Sequence, residues 1–288
     1  MFNKTMFKGY LLPEKTSEDL TEKWLLMSSP IPVLAILITY LGFVLKIGPG
    51  FMRNRPPYNL KLFLVIYNIF QVVISISVFY KAVEHLLQYG LIIQNQCLTE
   101  NKEFEIKTAS IVHFYFLSKI TELLDTIFFV LRKRDRQVSF LHVYHHTFAV
   151  FFGWCSARFE PAYIFIFIGV LNSFVHIIMY AYYGLSAFPN LTKYLWWKKY
   201  ITKMQLVQFF LMILYLLLTP LMSSCRSSNL FILTLVINNL LFVYLFSNFY
   251  VKEYLKSRQS EKNINKSTPG VINSSDISHY KLMDKKFT

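Results

Sequence analysis

The chain has 288 residues, 54% of them hydrophobic and 18% aromatic, with a mean hydropathy of +0.38. That is too apolar for an ordinary soluble domain, and the hydrophobic residues run in long uncharged blocks. The formal net charge of +14 would suit a nucleic-acid binder, but its distribution along the chain makes that reading unnecessary.

Residues 1–23 form a polar arm, charged throughout and without the apolar stretch of a cleavable signal peptide. The arm carries the sequon Asn3-Lys4-Thr5, a glycosylation acceptor if this end is lumenal. Seven apolar spans follow, at 24–45, 62–80, 108–131, 141–157, 161–185, 204–222 and 230–250. Most approach the roughly 20 residues that a bilayer core demands, and polar groups interrupt the third and fourth. The expected fold is therefore an all-α membrane protein of seven transmembrane helices, with one membrane domain over 24–251 and no internal repeat. From 252 to 288 the chain is rich in Ser, Asn and Lys and lacks apolar periodicity, which predicts a disordered tail. Near its end stand Lys285 and Lys286, at the spacing of a dilysine retrieval signal for the endoplasmic reticulum. The alternative is simply the basic end of a basic tail.

With the N-terminus lumenal and the C-terminus cytosolic, the cytosolic segments hold nineteen Lys and Arg against five Asp and Glu, whereas the lumenal segments hold nine of each. This asymmetry follows the positive-inside rule and sets the orientation. It accounts for the charge with membrane lipid, and no nucleic acid, as the partner. The sequons at Asn190, Asn265 and Asn273 then fall on the cytosolic side and stay bare. Cys97 and Cys225 fall in lumenal loops, where an oxidising compartment favours a disulfide; free thiols are the alternative, since sequence does not fix connectivity. Cys155 sits inside the fourth span.

The polar residues within the spans carry the chemistry. In the third, Lys119, Glu122 and Asp125 follow one another at one helical turn, so all three can face the bundle interior. They suit an internal ion pair holding helices together, and the acids also suit carboxylates that fix imidazole tautomers. In the fourth, His142-Val-Tyr-His145-His146 places three imidazoles on one helix face in an otherwise apolar stretch. A lone histidine there would read as a hydrogen-bonded core residue; three together point to a cavity and a reaction. The fifth adds Asn172 and His176 at i, i+4, and the sixth opens with a polar stripe of Thr202, Gln205 and Gln208. Interhelical hydrogen bonding is the bland explanation for that stripe. His113 reads as a packed structural residue, and His85 and His279 lie outside the cluster. Polar groups at one end of a bundle and an apolar interior beyond them suit a ligand with a polar headgroup and an acyl chain.

Four ordered motifs carry a resemblance. Lys119-Ile-Thr-Glu122-Leu-Leu-Asp125-Thr126 resembles a KxxExxDT box and His142-Val-Tyr-His145-His146 an HxxHH box. Segments Asn172–Tyr180 and Thr202–Phe209 resemble two further signatures, and the stretch from Gly48 to Tyr58 resembles a fifth. Together they are similar to the elongases of very-long-chain fatty acids, over about residues 24–255. The resemblance implies seven helices, six of them enclosing an acyl tunnel, in the endoplasmic reticulum membrane. It implies condensation of a long-chain acyl-CoA with malonyl-CoA to a 3-oxoacyl-CoA, releasing CoA and carbon dioxide, with a reductase and a dehydratase acting downstream.

By the same analogy His145 is the expected nucleophile, taking the acyl group as an acyl-imidazole. His142 and His146 are expected to position it or the thioester carbonyl, and His176 to bind the reacting carbonyl or handle protons. Glu122 and Asp125 would orient imidazoles; Lys119, Asn172, Gln205 and Gln208 would shape the pocket or meet CoA. Decarboxylation supplies the carbanion equivalent, so no cofactor and no metal are expected. A di-iron desaturase or hydroxylase also uses HxxHH, but needs about eight histidines as ligands, and this chain has 7 in all. A seven-helix receptor or transporter is the non-enzyme alternative. Val143 resembles the branches acting on very long or polyunsaturated chains. The residues leave acyl-chain length and oligomeric state open, a homodimer included.

Overall fold

The computed structural model describes residues 21–90, 101–222 and 228–256. Asn3, Cys97, Cys225, Asn265, Asn273, His279, Lys285 and Lys286 lie outside the described residues. The described chain is helical, with no strand among the described residues. Its long helices are α1 (Ile31–Met52), α2 (Lys61–Tyr89), α3 (Lys102–Leu131), α4 (Phe140–Phe159), α5 (Ile164–Ser186), α6 (Lys198–Met222) and α7 (Asn229–Tyr250). By length and composition α1, α2, α5, α6 and α7 can each cross a membrane. In α3 and α4 the ionisable groups of the site lower the hydropathy.

Local chemistry sets the boundaries. The first helix starts at Ile31, seven residues later than its hydropathy begins at Trp24, because Pro30 and Pro32 suit a helix start and residues 22–28 form turns. It then runs on through a π-turn at Phe43–Ile47 and resumes at Gly48, with Pro49 in the new first turn, where a missing N–H is tolerated. Hydropathy fades at Lys81 and Glu84, yet α2 continues to Tyr89. It stops only at Gly90, whose φ of 130° is open to glycine alone. Asn101 caps α3, its side chain accepting from Phe104 N at 3.2 Å, so α3 also begins earlier than its apolar stretch.

Contacts run in a ring, α2 to α3 to α4 to α7 to α6 to α5 and back to α2, with α3 also meeting α5. Helix α1 stands outside the ring against α3 and α4. Gly48 permits that approach: a Cβ there would lie 2.7 Å from Val130 Cγ1 on α3. The ring buries polar residues among apolar ones inside and is apolar outside. On α2, Asn68, Gln71 and Ser75 are buried, while Leu62, Phe63, Ile66, Ile69, Phe70, Val73 and Ile76 are exposed. Buried polar groups beneath an apolar exterior suit lipid surroundings and a functional interior.

Candidate active site

Helices α3, α4 and α5 assemble the polar interior. Ser139 starts α4: its Oγ accepts from His142 N at 3.3 Å, so the helix begins at Phe140 and the HVYHH motif fills its first two turns. The imidazoles consequently lie close together, with ring centroids 4.3 Å apart and tilted for His142 and His146, and 5.5 Å apart and edge-on for His145 and His146.

On α3, Lys119, Glu122 and Asp125 are all buried. Lys119 Nζ donates to Glu122 Oε1 at 2.7 Å and to Asn172 Oδ1 on α5, also at 2.7 Å. The Tyr115 hydroxyl donates to the same Asn172 oxygen at 3.0 Å. His176 Nδ1 of α5 lies 3.0 Å from Glu122 Oε1, at ion-pair distance but off the line of a straight hydrogen bond. The carboxylate thus sits between a lysine of its own helix and an imidazole of another. Buried charge persists when it is paired in this way.

Of Glu122 and Asp125, both expected to orient imidazoles, Glu122 lies beside the His176 imidazole of α5 and Asp125 meets a tyrosine of the same helix. Glu122 makes no hydrogen bond to His145 or His146 among the described residues. Asp125 Oδ2 accepts from the Tyr180 hydroxyl at 2.7 Å. The reason is the contact across the ring, through which α5 meets α3 directly. Thr126, next in sequence, is the α3 residue hydrogen-bonded to an α4 imidazole among the described residues, and Phe129 lies against the same ring. Its Oγ1 is hydrogen-bonded to His142 Nε2 at 3.0 Å and to the Tyr40 hydroxyl of α1 at 2.8 Å.

Helix α6 contributes less directly. Gln205 Nε2 reaches Met179 Sδ at 3.7 Å, and Gln208 is buried with its Oε1 unbonded among the described residues. Also without a hydrogen-bond partner there are His145 Nδ1 and Glu122 Oε2. Buried polar atoms left unpaired ask for an explanation, and Glu122 Oε2 belongs to the carboxylate that accepts from Lys119. Among the described residues no three His, Cys, Asp or Glu side chains form a group that could hold a metal ion. His85 bonds to Thr108 at 2.9 Å and His113 to the Leu25 carbonyl at 2.9 Å, both away from the cluster.

From His145 a file of aromatic rings leads along α4 and α7. Phe242 meets His145 edge-on at 4.9 Å, Phe148 lies 6.0 Å from Phe242, and Phe152 stacks on Phe148 at 5.2 Å. The file ends where Phe152, Phe165 of α5 and Phe231 of α7 meet, with centroids 5.4–6.4 Å apart. Sequence reasoning also missed Tyr144 within the HVYHH motif, whose hydroxyl donates to Asn238 of α7 at 2.5 Å. The cue available was Asn238-Asn239, two adjacent amides in an apolar span.

The protein-family model described as "ELO: GNS1/SUR4 family" matches residues 25–262, most of the chain. The chain belongs to the ELO family. All four motifs lie inside the matched region. Very long chain fatty acid elongase 7 of Drosophila melanogaster is 40% identical over 257 residues, 87% of this chain and 77% of that protein. Very long chain fatty acid elongase 2 of Mus musculus is 38% identical, covering 85% of each chain. Very long chain fatty acid elongase 4 of Homo sapiens is 39% identical over 83% of this chain and 76% of its own length. With its apolar helices, this ELO-family chain is a multi-pass membrane protein.

Proposed function

We propose that this ELO-family protein is a very-long-chain 3-oxoacyl-CoA synthase, condensing a long-chain acyl-CoA with malonyl-CoA as the first step of fatty acid elongation. The observation that carries the reading is that His142, His145 and His146 lie together on α4 while His176 stands beside Glu122 of α3, the helix that packs on α4, in a chain whose relatives are named elongases. All seven long helices cross the bilayer in this reading, in the endoplasmic reticulum membrane, with the N-terminus lumenal and the C-terminus cytosolic. The acyl tunnel lies within the ring of α2 to α7, along the aromatic file that starts at His145.

In the first half-reaction a ring nitrogen of His145 attacks the thioester carbonyl. The carbon–sulfur bond breaks, the imidazole proton passes to the CoA thiolate, and an acyl-imidazole remains. Malonyl-CoA then loses carbon dioxide, and the electron pair of the broken carbon–carbon bond forms an enolate. The enolate carbon attacks the acyl-imidazole carbonyl, His145 leaves and one proton is taken up from solvent, giving the 3-oxoacyl-CoA. His142 and His146 flank the nucleophile, and the Glu122-bound His176 stands ready to donate to the carbonyl oxygen as charge develops there. Malonyl-CoA supplies the carbon nucleophile, so the reading assigns no cofactor.

The test uses purified protein, labelled malonyl-CoA and a series of acyl-CoAs, with His145→Ala alongside. Wild type is expected to release labelled 3-oxoacyl-CoA and, without malonyl-CoA, to gain one acyl mass in intact-protein mass spectrometry. The variant is expected to do neither. A folded His145→Ala protein that condenses at the wild-type rate would remove His145 from the mechanism.

A further inference from the structure

Helix α1 stands outside the ring, and it is apolar in keeping with that position. It places one hydroxyl against the site nonetheless. Tyr40 is 4% exposed, whereas its neighbour Thr39 is exposed on the outer side. The Tyr40 hydroxyl lies 2.8 Å from Thr126 Oγ1, and the same Thr126 oxygen lies 3.0 Å from His142 Nε2. Thr126 is 0% exposed, so water does not compete for these bonds.

The direction of this chain follows from counting hydrogens. A tyrosine hydroxyl and a threonine hydroxyl each carry one proton to give, and a neutral imidazole has one donor and one acceptor nitrogen. If Tyr40 donates to Thr126, and Thr126 donates to His142 Nε2, both protons are used. In the reverse direction Nε2–H donates to Thr126 and Thr126 donates to Tyr40. The Tyr40 proton is then buried with no acceptor among the described residues, and if Tyr40 and Nε2–H both donate to Thr126 it is the Thr126 proton that is left without one; either is costly. The favoured arrangement makes Nε2 of His142 an acceptor and puts the ring hydrogen on Nδ1.

We infer that Tyr40 is a positioning residue for the condensation reaction, acting through Thr126 to hold His142 in the Nδ1–H tautomer. The inference rests on the elongase reading and deepens it by giving His142 a defined role. With Nε2 occupied, His142 offers one fixed N–H. That group can donate to the thioester oxygen or to a neighbouring imidazole without any change of charge. Fixing a tautomer through the distal nitrogen is how a neutral imidazole is prepared for such work. It also gives α1 a reason to pack tightly on α3 and α4: displacing it would release the tautomer.

Tyr40→Phe removes the hydroxyl and keeps the ring and its packing. It is expected to lower kcat about tenfold, the kinetic equivalent of one buried hydrogen bond, with KM for acyl-CoA unchanged. Thr126→Val is expected to lower kcat at least as far, and the double variant no further than Thr126→Val alone, because both changes cut one chain. Thr39→Val, on the lipid side of the same turn, is expected to match wild type. Wild-type condensation with a Tyr40→Phe rate within twofold of it would overturn the inference and leave the elongase reading intact. Losses that multiply in the double variant would likewise break the relay. An inactive wild type would count against the elongase reading instead.

Discussion

His176 Nδ1 lies 3.0 Å from the same Glu122 oxygen that accepts from Lys119 at 2.7 Å, so one carboxylate oxygen ties α3 to α5 and holds two cationic or proton-bearing groups. Removing one partner of such a buried pair strands the other, at a cost of about 3–5 kcal/mol, whereas removing both leaves only a polar gap. Glu122→Gln and Lys119→Met are each expected to lower Tm sharply, and the double variant is expected to recover part of the loss. Thermal unfolding of the detergent-solubilised proteins measures this directly. Additive losses would show that Lys119 and Glu122 do not act as a unit. Activity is expected to vanish in all three variants, because His176 loses its anion whenever Glu122 is neutral and loses the local charge balance without Lys119.

The aromatic file predicts where the acyl chain ends. A saturated or polyunsaturated chain attached at His145 would run past Phe242 and Phe148 toward Phe152, Phe165 and Phe231, where rings from α4, α5 and α7 converge. Phe→Ala at such a junction opens room that the neighbouring rings refill only in part. Phe165→Ala and Phe231→Ala are expected to lengthen the longest product by about one two-carbon cycle or more, the cavity growing with the volume removed. Mass spectrometry of products made from a mixed acyl-CoA pool reads the outcome. A product distribution identical to wild type, at normal activity, would place the end of the chain elsewhere.

Much of this is legible in the sequence where the signal is local. The three imidazoles of HVYHH and the Lys119, Glu122, Asp125 series announce a shared face through i, i+3 and i+4 spacing, which a helix must honour. Asn172 and His176 follow the same rule. What spacing does not give is the partner across the bundle. Asp125 meets Tyr180 at a sequence separation of 55, Tyr40 meets Thr126 at 86, and Tyr144 meets Asn238 at 94. Each partner is a tyrosine or an amide; Tyr180 continues the Asn172–His176 side at i+4, but among the 19 tyrosines of the chain nothing local marks Tyr40 as inward-facing. Helix ends depart from the apolar spans for a related reason: hydropathy reports where lipid contact stops, whereas Asn101, Gly90 and the Pro30–Pro32 pair report where the backbone turns.

At Gly48 α1 comes close to α3. An alanine Cβ would lie 2.7 Å from Val130 Cγ1 and 2.8 Å from the Phe43 carbonyl oxygen, and that carbonyl belongs to the π-turn and cannot move freely. Overpacking of this kind costs about 1–3 kcal/mol. Gly48→Ala is expected to lower Tm by several degrees, and Val130→Ala combined with it to restore only part of the loss, because the carbonyl contact remains. Gly50, where an added Cβ would meet nothing within 4 Å, supplies the comparison: Gly50→Ala is expected to be neutral or slightly stabilising in the same melts. Equal losses at the two glycines would mean that helix propensity, and not the approach to α3, governs this segment.

At the opposite end of the bundle a carboxylate closes α7. Glu160, in the short link between α4 and α5, is buried, and its Oε1 accepts from Ser228 N at 2.5 Å, immediately before the first residue of α7. A negative charge at a helix N-terminus is favourable twice over, by satisfying an N–H that the helix leaves unbonded and by meeting the positive end of the macrodipole. Loss of such a cap costs about 0.5–2 kcal/mol. Glu160→Ala is therefore expected to lower Tm, while Glu160→Gln, which keeps the acceptor oxygen and loses the charge, is expected to fall between it and wild type. Hydrogen exchange at the amides of the first turn of α7 should rise in the same order. Wild-type exchange there in Glu160→Ala would show that α7 is held by its packing on α6, and that the carboxylate merely lies nearby.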